Sequence, residues 1–330
     1  MPQIQRILLI ASSQMNRTPA FECAVAMAAK NRAVLHIVTF DYLAAVEIVG
    51  LFSQKSMAKL CEAYLQTHQQ WLEQEAEHER HKGLHVQTRL VWTGHVVAEI
   101  NHYANVINAD LIIKDIHHEP TIKRVFATPL DWRILRDCRV PVYLVSSAGK
   151  PMPEKILALV NLYRTRDEDL QLNDSIMHMA SRLAAQCQAR LQVLYVYDWT
   201  RIYASKLTML GLMPIETGFV EALGDAHQEA FTFLNDRYGI ALNDRHFLSG
   251  DPACVIGDFA ADNDIDVLVM GTLQRRKLSA VLGDTAEKLL GHAPCSVLMI
   301  DSAVRHIKSR PAMTDDADCN PLPDHAAHPD

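Results

Sequence analysis

Glycines and a hydroxyl-bearing residue near the carboxyl terminus have the spacing of a phosphate-binding loop. Gly271 follows an apolar run, and Gly283, Asp284 and Thr285 precede a stretch with helical spacing. Glycine lets backbone N–H groups approach phosphate oxygens without a Cβ in the way, and the N-terminus of the next helix adds a positive partial charge. The order strand, glycine turn, helix therefore predicts phosphate chemistry at residues 271–285.

The elements that must position this loop occur twice in the chain. The segment AVLHIVTFDY from Ala33 is matched by ARLQVLYVYD from Ala189, and NADLIIKD up to Asp115 is matched by DIDVLVMG up to Gly271. Both pairs have an offset of 156 residues, and the matched segments CRVPVYLVSSA and APCSVLMIDSA have an offset of 155. The same alignment sets Gly250 against Gly94, and an offset this steady indicates an internal duplication.

Each copy predicts an α/β fold. Its apolar runs are continuous, as expected for parallel strands that are covered on both faces. The segments 20–31 and 173–188 carry apolar residues at helical spacing. We therefore expect two tandem, doubly wound, Rossmann-like parallel-sheet domains. Their expected ranges are 1–148 and 153–303, followed by a polar, proline-containing tail at 304–330 that we expect to be disordered.

Composition narrows the class of protein. The 330 residues are 49% hydrophobic and 22% charged, with a formal net charge of −7, which argues against a nucleic-acid-binding surface. No apolar run approaches the ~18 residues of a membrane span, and the first residues lack the pattern of a signal peptide. The seven cysteines are scattered, which favours a cytoplasmic protein without disulfides.

Two stretches carry a resemblance to the universal stress protein family, of the tandem-domain type. They are MGT…R…LSAVLGDTAEKLL in the second copy and FATPLDWRILRDCRVPVYLV in the first. The resemblance covers about residues 4 to 303. It implies a stress-response protein whose two domains join through their last strands about a pseudo-twofold axis, so the chain would be a monomeric pseudo-dimer or a homodimer. Nucleotide-binding members of the family carry G-x2-G-x9-G-S/T after the fourth strand and an Asp at the end of the first strand.

The first copy departs from that family pattern at each position. Ser12 stands where the resemblance would place the Asp, and Asp115 replaces the leading glycine with a negative charge. Thr128 and Pro129 replace the Gly-Ser pair, and a proline has no N–H to donate. We therefore expect no phosphate site in the first copy.

The second copy keeps part of the pattern. Gly271, Gly283 and Thr285 are present, whereas Asn161 replaces the Asp and Gln274 replaces the second glycine. A capped turn with a solvated basic surface is one interpretation, and a site for ATP or another phosphate-bearing ligand is the other. Gly250 begins the turn after the third strand, where a ligand site and a simple helix start are equally compatible with the sequence. The candidate ligand-binding residues are Asn161, Gly250, Gly271, Gln274, Arg275, Gly283, Asp284 and Thr285.

Three further features leave alternatives open. The histidines at 78, 81 and 85 lack the spacing of a zinc site, and His117 with His118 would be the first place to look for a metal. The segments 42–60 and 203–223 are rich in apolar residues, which fits core packing or a lid over an amphipathic, lipid-like ligand. No Walker A, G-x-S-x-G or H-E-x-x-H motif occurs, so no catalytic residue is predicted.

The sequence thus predicts a cytoplasmic stress-response protein that acts by binding or regulation, without evident catalysis. Two alternatives stay open at this point. The second copy could bind ATP and hydrolyse it slowly, or the chain could carry an amphipathic ligand.

Overall fold

The structure, a computed structural model, describes residues 4–41, 54–116, 130–163, 167–198, 217–272, 284–291 and 294–301. The strands are β1 (Arg6–Ile10), β2 (Val34–Asp41), β3 (His85–Trp92), β4 (Leu111–Asp115), β5 (Val142–Val145), β6 (Lys155–Leu159), β7 (Arg190–Tyr197), β8 (Arg245–Ser249), β9 (Val267–Thr272) and β10 (Ser296–Asp301). The helices are α1 (Pro19–Asn31), α2 (Gln54–His81), α3 (Val96–Val106), α4 (Leu130–Asp137), α5 (Asp167–Cys187), α6 (Thr217–Arg237), α7 (Pro252–Asp262) and α8 (Asp284–Gly291). The predicted tail at 304–330 lies outside the described residues.

Local sequence accounts for the ends of α1. Thr18 is the N-cap, and its hydroxyl accepts a hydrogen bond from the Phe21 N–H at 3.3 Å. Pro19 takes the first helical position, where its missing N–H costs nothing. Arg32 ends the helix in the left-handed conformation and sends the chain into β2.

The strands described here form one sheet in the order β3-β2-β1-β4-β5-β10-β9-β6-β7-β8. Neighbouring strands are parallel within each half, and the two halves meet where β5 pairs with β10 in the antiparallel sense. The expected fold, two doubly wound parallel sheets joined through their last strands, is confirmed. One continuous sheet spans both halves.

The β5–β10 pairing places a local twofold axis through the middle of the sheet. Tyr143 pairs with Leu298, and these two residues occupy matched positions of the duplicated halves. Leu144 pairs with Val297, which matches Val142. Because the strands are antiparallel, the carboxyl ends of the parallel strands point to opposite edges of the sheet in the two halves.

Helices cover both faces of the sheet and enclose two apolar cores. The helices α1, α2, α5 and α6 pack on one face, and α3, α4, α7 and α8 pack on the other. Strand residues at alternating positions, such as Leu8 and Leu9, enter opposite cores. Burial on both faces explains why the strands read as continuous apolar runs.

The sequence alignment of the two halves is wrong by one residue at the third strand of each half. Ile37 pairs with Thr88, whereas Val193, the residue matched with Ile37, pairs with Arg245. The offset between the halves is therefore 157 residues at this strand rather than 156. It returns to 156 at the following helices, which begin at Val96 and Pro252, because the turn before α7 is one residue shorter.

Gly250 consequently matches Thr93 and not Gly94, as the sequence alignment had it. The N–H of Thr93 donates to the carbonyl oxygen of Asp41 at 3.0 Å, and the N–H of Gly250 donates to that of Tyr197 at 3.2 Å. Asp41 and Tyr197 are matched residues at the ends of β2 and β7. The glycine in this turn is thus a feature of the second half alone.

The first helix of the second half also begins earlier than predicted. We expected a helix over 173–188, and α5 begins at Asp167. Between the matched positions Ile7 and Ile156 the offset is 149, so the second half holds seven extra residues before β7. Seven residues add about two helical turns. The acidic run 167–169 favours a helix start there, because carboxylates stabilise the positive end of the helix dipole.

Candidate functional site

The strand order locates the crevice in which open α/β sheets bind ligands. Such a crevice forms at the carboxyl ends of the two strands between which the winding direction reverses. These strands are β1 and β4 in the first half and β6 and β9 in the second. The crevices are therefore bordered by Ser12 and Asp115 in one half and by Asn161 and Gly271 in the other.

Gly271 lies near the end of β9 beneath the added turns of α5. A Cβ built on Gly271 would lie 2.6 Å from Leu172 Cδ1 and 2.7 Å from Leu172 Cγ. Leu172 is itself buried, at 6% exposure. A side chain larger than glycine would therefore force Leu172 to move, so the leucine packs directly against the Cα of Gly271.

Asn161, the second candidate at this crevice, is held by a buried amide. The Asn173 side chain is 3% exposed. Its Oδ1 accepts from the Asn161 N–H at 2.9 Å, and its Nδ2 donates to the Asn161 carbonyl oxygen at 2.8 Å. The Asn161 Oδ1 in turn accepts from the Tyr163 N–H at 3.0 Å. These contacts bind the chain after β6 to α5, and the sequence pattern gave no sign of them.

In the first half the crevice is bridged by Asp115. Its Oδ1 accepts a hydrogen bond from the Ala20 N–H in the first turn of α1, at 3.0 Å. A carboxylate at the N-terminus of a helix is favoured by the helix dipole. The side chain that replaces the family glycine therefore places a negative charge at this helix terminus, and it would repel a phosphate.

A buried ion pair lies beside Asp115. Lys114 Nζ lies 2.7 Å from Asp131 Oδ1, and the two side chains are 3% and 10% exposed. Lys114 Nζ also donates to the Asp115 carbonyl oxygen at 3.0 Å. This pair ties β4 to α4, which gives the Asp of the PLDW segment a structural role. The matched residues of the second half, Met270 and Ala286, are buried and apolar.

Aromatic side chains cover the carboxyl end of β2 in the first half. The Tyr64 hydroxyl donates to Asp41 Oδ2, and the Tyr64 ring stacks on His68 with ring centroids 3.9 Å apart. His68 Nε2 lies 2.9 Å from the Ser13 carbonyl oxygen, which follows β1. Burial raises the pKa of the Tyr64 phenol, so it remains a hydrogen-bond donor.

The second half has its own aromatic group at the end of β7. Tyr163 stacks against Tyr197 and contacts His227, with centroids 6.3 and 5.4 Å apart. Tyr195 Oη lies 2.8 Å from His227 Nδ1, and burial lowers the pKa of that imidazole. These residues come from the loop after β6, from β7 and from α6, so their proximity was not visible in the sequence.

Gly250 belongs to the start of α7. Its φ of +145° suits glycine, and a Cβ there would lie 2.8 Å from Val255 Cγ2. The Asp251 carboxylate accepts from the N–H groups of Ala253 and Cys254 at 3.1 and 3.2 Å. These backbone bonds lower the pKa of Asp251. The turn is a capped helix start, which is compatible with both interpretations of Gly250.

The remaining candidate residues are only partly covered by the structure. Asp284 and Thr285 are the first two residues of α8. The other candidates of the loop, Gln274, Arg275 and Gly283, lie outside the described residues. So do His117 and His118, and most of the two apolar segments 42–60 and 203–223.

Metal ligands and membrane spans were also sought. Among the described residues no group of three or more His, Cys, Asp or Glu side chains could hold a metal ion. His81 Nε2 instead lies 3.4 Å from Glu77 Oε1 one turn earlier on α2. No helix in the described part of the chain is long and apolar enough to cross a membrane.

Relatives carry the same architecture. A protein-family model described as the universal stress protein family matches residues 3–146 and 170–301. Universal stress protein E of Escherichia coli (strain K12) is 26% identical over 307 residues, covering 91% of this chain and 95% of that protein. A universal stress protein E homolog of Haemophilus influenzae is 24% identical over 274 residues, which are 82% of this chain and 86% of that protein.

Solved structures show the same fold. A functionally unknown protein from Pseudomonas aeruginosa PAO1 has a TM-score of 0.67 at 24% identity, with 90% of this chain and 92% of that chain covered. A universal stress protein from Archaeoglobus fulgidus DSM 4304 has a TM-score of 0.60 at 14% identity, with 91% and 97% covered. Two family matches, whole-length tandem relatives and the joined parallel sheets lead to one assignment. This chain belongs to the universal stress protein family and is of its tandem-domain type.

Proposed function

We propose that this chain is a cytoplasmic stress-response protein that acts by binding or regulation, without catalysis and without a nucleotide in either crevice. The observation that carries the proposal is the packing of Leu172 over Gly271, with a distance of only 2.6 Å from the leucine Cδ1 to a Cβ built on the glycine. The retained glycine of the second half is thereby explained by a neighbouring side chain.

Electrostatics support the same proposal for the first half. Asp115 holds its carboxylate against the first turn of α1. A phosphate brought to this helix terminus would meet a like charge at short range, where the repulsion is poorly screened. Both crevices therefore oppose a nucleotide, one by shape and one by charge.

Nucleotide binding by the second half is the other candidate. It is favoured by the order of a strand that ends in Gly271 and Thr272 and a helix that starts at Asp284, as a phosphate-binding loop requires. For ATP to approach Gly271, the Leu172 side chain would have to move. Slow ATP hydrolysis would need the same movement.

The cytoplasmic location is supported by the thiols. The six cysteines within the described ranges are all free. Disulfides are rare in the reducing cytoplasm, and free buried cysteines behave there as small apolar residues.

Native mass spectrometry of the freshly purified protein tests the proposal. We expect a mass that includes no nucleotide, and no nucleotide in the supernatant after heat denaturation. A stoichiometric adenine nucleotide in either measurement would overturn it. A co-purified apolar compound would instead support the third alternative, a carrier of an amphipathic ligand.

A further inference from the structure

The two halves of the chain meet along a seam between α1 and α5. These helices lie side by side on one face of the sheet, close to the local twofold axis. Lys30, near the end of α1, donates from Nζ to Gln188 Oε1, just beyond α5, at 3.0 Å. The seam, defined here by Lys30, Arg182, Gln186 and Gln188, thus contains polar groups from both copies.

Arg182 is buried in this seam, and side-chain atoms of both Arg182 and Gln186 lack hydrogen-bond partners in the described part of the chain. Arg182 is 9% exposed, and its Nε and Nη2 atoms have no hydrogen-bond acceptor there. The Nε2 and Oε1 atoms of Gln186 are also buried, and they have no hydrogen-bond partner among the described residues. The two residues are four apart on α5, so their side chains lie on the same face of the helix.

The unbonded atoms of Arg182 have the geometry of an oxyanion receptor. A guanidinium keeps its charge in proteins, and a buried charge without a partner is costly. Nε and Nη2 lie along one edge of the guanidinium, and their N–H groups point in parallel. Such an edge binds two oxygens of a carboxylate or a phosphate at once.

The charges around the seam are unequal. Asp110 is the acidic group whose charge acts on Arg182. Its Oδ2 already accepts from the N–H groups of Gln5 and Arg6, at 2.7 and 3.0 Å. Lys30 adds a second positive charge at the seam.

The buried arginine of the seam has no counterpart in the first copy. The residue of α1 matched with Arg182 is Ala26, whose side chain is a methyl group. The twofold arrangement therefore does not create a second guanidinium, and one ligand for each chain is expected. Because the Nε and Nη2 atoms are enclosed by protein, neighbouring side chains must move to admit a ligand, and the ligand must present a small group.

We propose that the seam binds one small oxyanion, a carboxylate or a phosphate group, held by the Nε–Nη2 edge of Arg182 and by the amide of Gln186. Such a ligand would link the two halves at their junction. This site is separate from the crevices at the strand ends. A failure of this proposal would therefore leave the proposed nucleotide-free function untouched, and the reverse also holds.

Thermal unfolding with added anions tests the site. Inorganic phosphate and acetate are titrated in separate arms at an ionic strength held constant with sodium chloride. We expect a saturable rise of the midpoint in at least one arm, since a ligand that binds only the folded state stabilises it. The arm that saturates at lower concentration identifies the oxyanion. Flat titrations in both arms would overturn the proposal.

Variants assign the effect to the seam. Arg182→Met should raise the apparent Kd at least about tenfold, as expected when a bidentate charged contact is lost. Gln186→Leu should raise it by a smaller factor. Arg237→Met, which removes an exposed arginine on α6 that pairs with Asp174, should leave the Kd unchanged. An Arg182→Met protein with wild-type anion affinity would contradict the assignment.

A spectroscopic readout covers the case in which a seam variant does not fold. The Nε–H resonance of Arg182 in the wild-type chain should shift saturably as the anion is added. An unmoved resonance at anion saturation would show that the guanidinium edge is not the receptor.

Discussion

Leu172 and Gly271 lie so close together that one added methyl group would not fit between them. A Cβ on the glycine would be 2.6 Å from the leucine Cδ1, and the two residues come from a helix start and a strand end that are 99 positions apart. This relationship joins the extra turns of α5 to the altered binding crevice. It implies that the lengthened helix and the retained glycine depend on one another.

Gly271→Ala should therefore destabilise the protein. Overpacking of a filled core costs about 1–3 kcal/mol. In the double variant with Leu172→Ala the added methyl group has room, so the two effects should be strongly non-additive. Urea denaturation of the wild type, the two single variants and the double variant measures the coupling free energy between the two positions. Additive losses would mean that the leucine does not press on the glycine.

Asn173→Ala should cost more than Asn161→Ala, although both remove an amide. The Asn173 side chain satisfies both backbone groups of Asn161, at 2.9 and 2.8 Å. Its loss removes two hydrogen bonds to the Asn161 backbone, each worth about 0.5–1.5 kcal/mol. Within the described ranges, the Asn161 side chain accepts only from the Tyr163 N–H. Equal unfolding free energies for the two variants would contradict this division of roles.

The buried pair Lys114–Asp131 can be replaced by the residues of the other half. Lys114→Met alone should destabilise by about 3–5 kcal/mol, because it removes one partner of a buried ion pair. Adding Asp131→Ala copies the Met270 and Ala286 arrangement and should recover most of that loss. Denaturation midpoints of the wild type, the single variant and the double variant show how much of the lost stability the second substitution restores. A double variant as unstable as the single one would show that the pair is needed for more than charge balance.

His36 should make stability depend on pH. Burial, with the charge of Arg6, lowers its pKa from the ordinary 6.5 to about 4. The folded state therefore favours neutral imidazole, and its contribution is complete above about pH 6.5 and is lost as the pH falls towards 4. The loss should reach about 2–3 kcal/mol.

A matched variant isolates this titration. Gln192 occupies the position of His36 in the second half, where its Oε1 lies 2.8 Å from His246 Nε2. His36→Gln should flatten the fall in stability between pH 6.5 and 4 relative to the wild type. His227 and His246, whose pKa values burial also lowers, are present in both proteins and cancel in the difference. Parallel pH profiles would exclude His36 as the source.

Much of the fold could be predicted because its signals are local. Continuous apolar runs identified the strands, and a steady offset identified the duplication. The β5–β10 junction was expected from the resemblance to the universal stress protein family. The third-strand register was off by one, because a one-residue difference in a turn leaves the apolar pattern of its neighbours intact.

The candidate site was less predictable because its contacts join distant positions. Asn173 meets Asn161, and Lys114 meets Asp131, only once helices are placed on the sheet. One signal was available in the sequence. The offset of 149 at the first strand, against 156 later, together with the acidic run at 167–169, could have indicated a longer α5. Only the structure shows that its added turns cover Gly271.

Equilibrium dialysis of ATP tests the central claim, that side chains of this protein close the second crevice. Wild-type protein should show no saturable binding at millimolar ATP, whereas Leu172→Ala should bind measurably better. Leu234→Ala removes another leucine that is also 6% exposed, and it should behave as the wild type does. Stoichiometric ATP binding by the wild type, with an affinity that Leu172→Ala leaves unchanged, would contradict the claim.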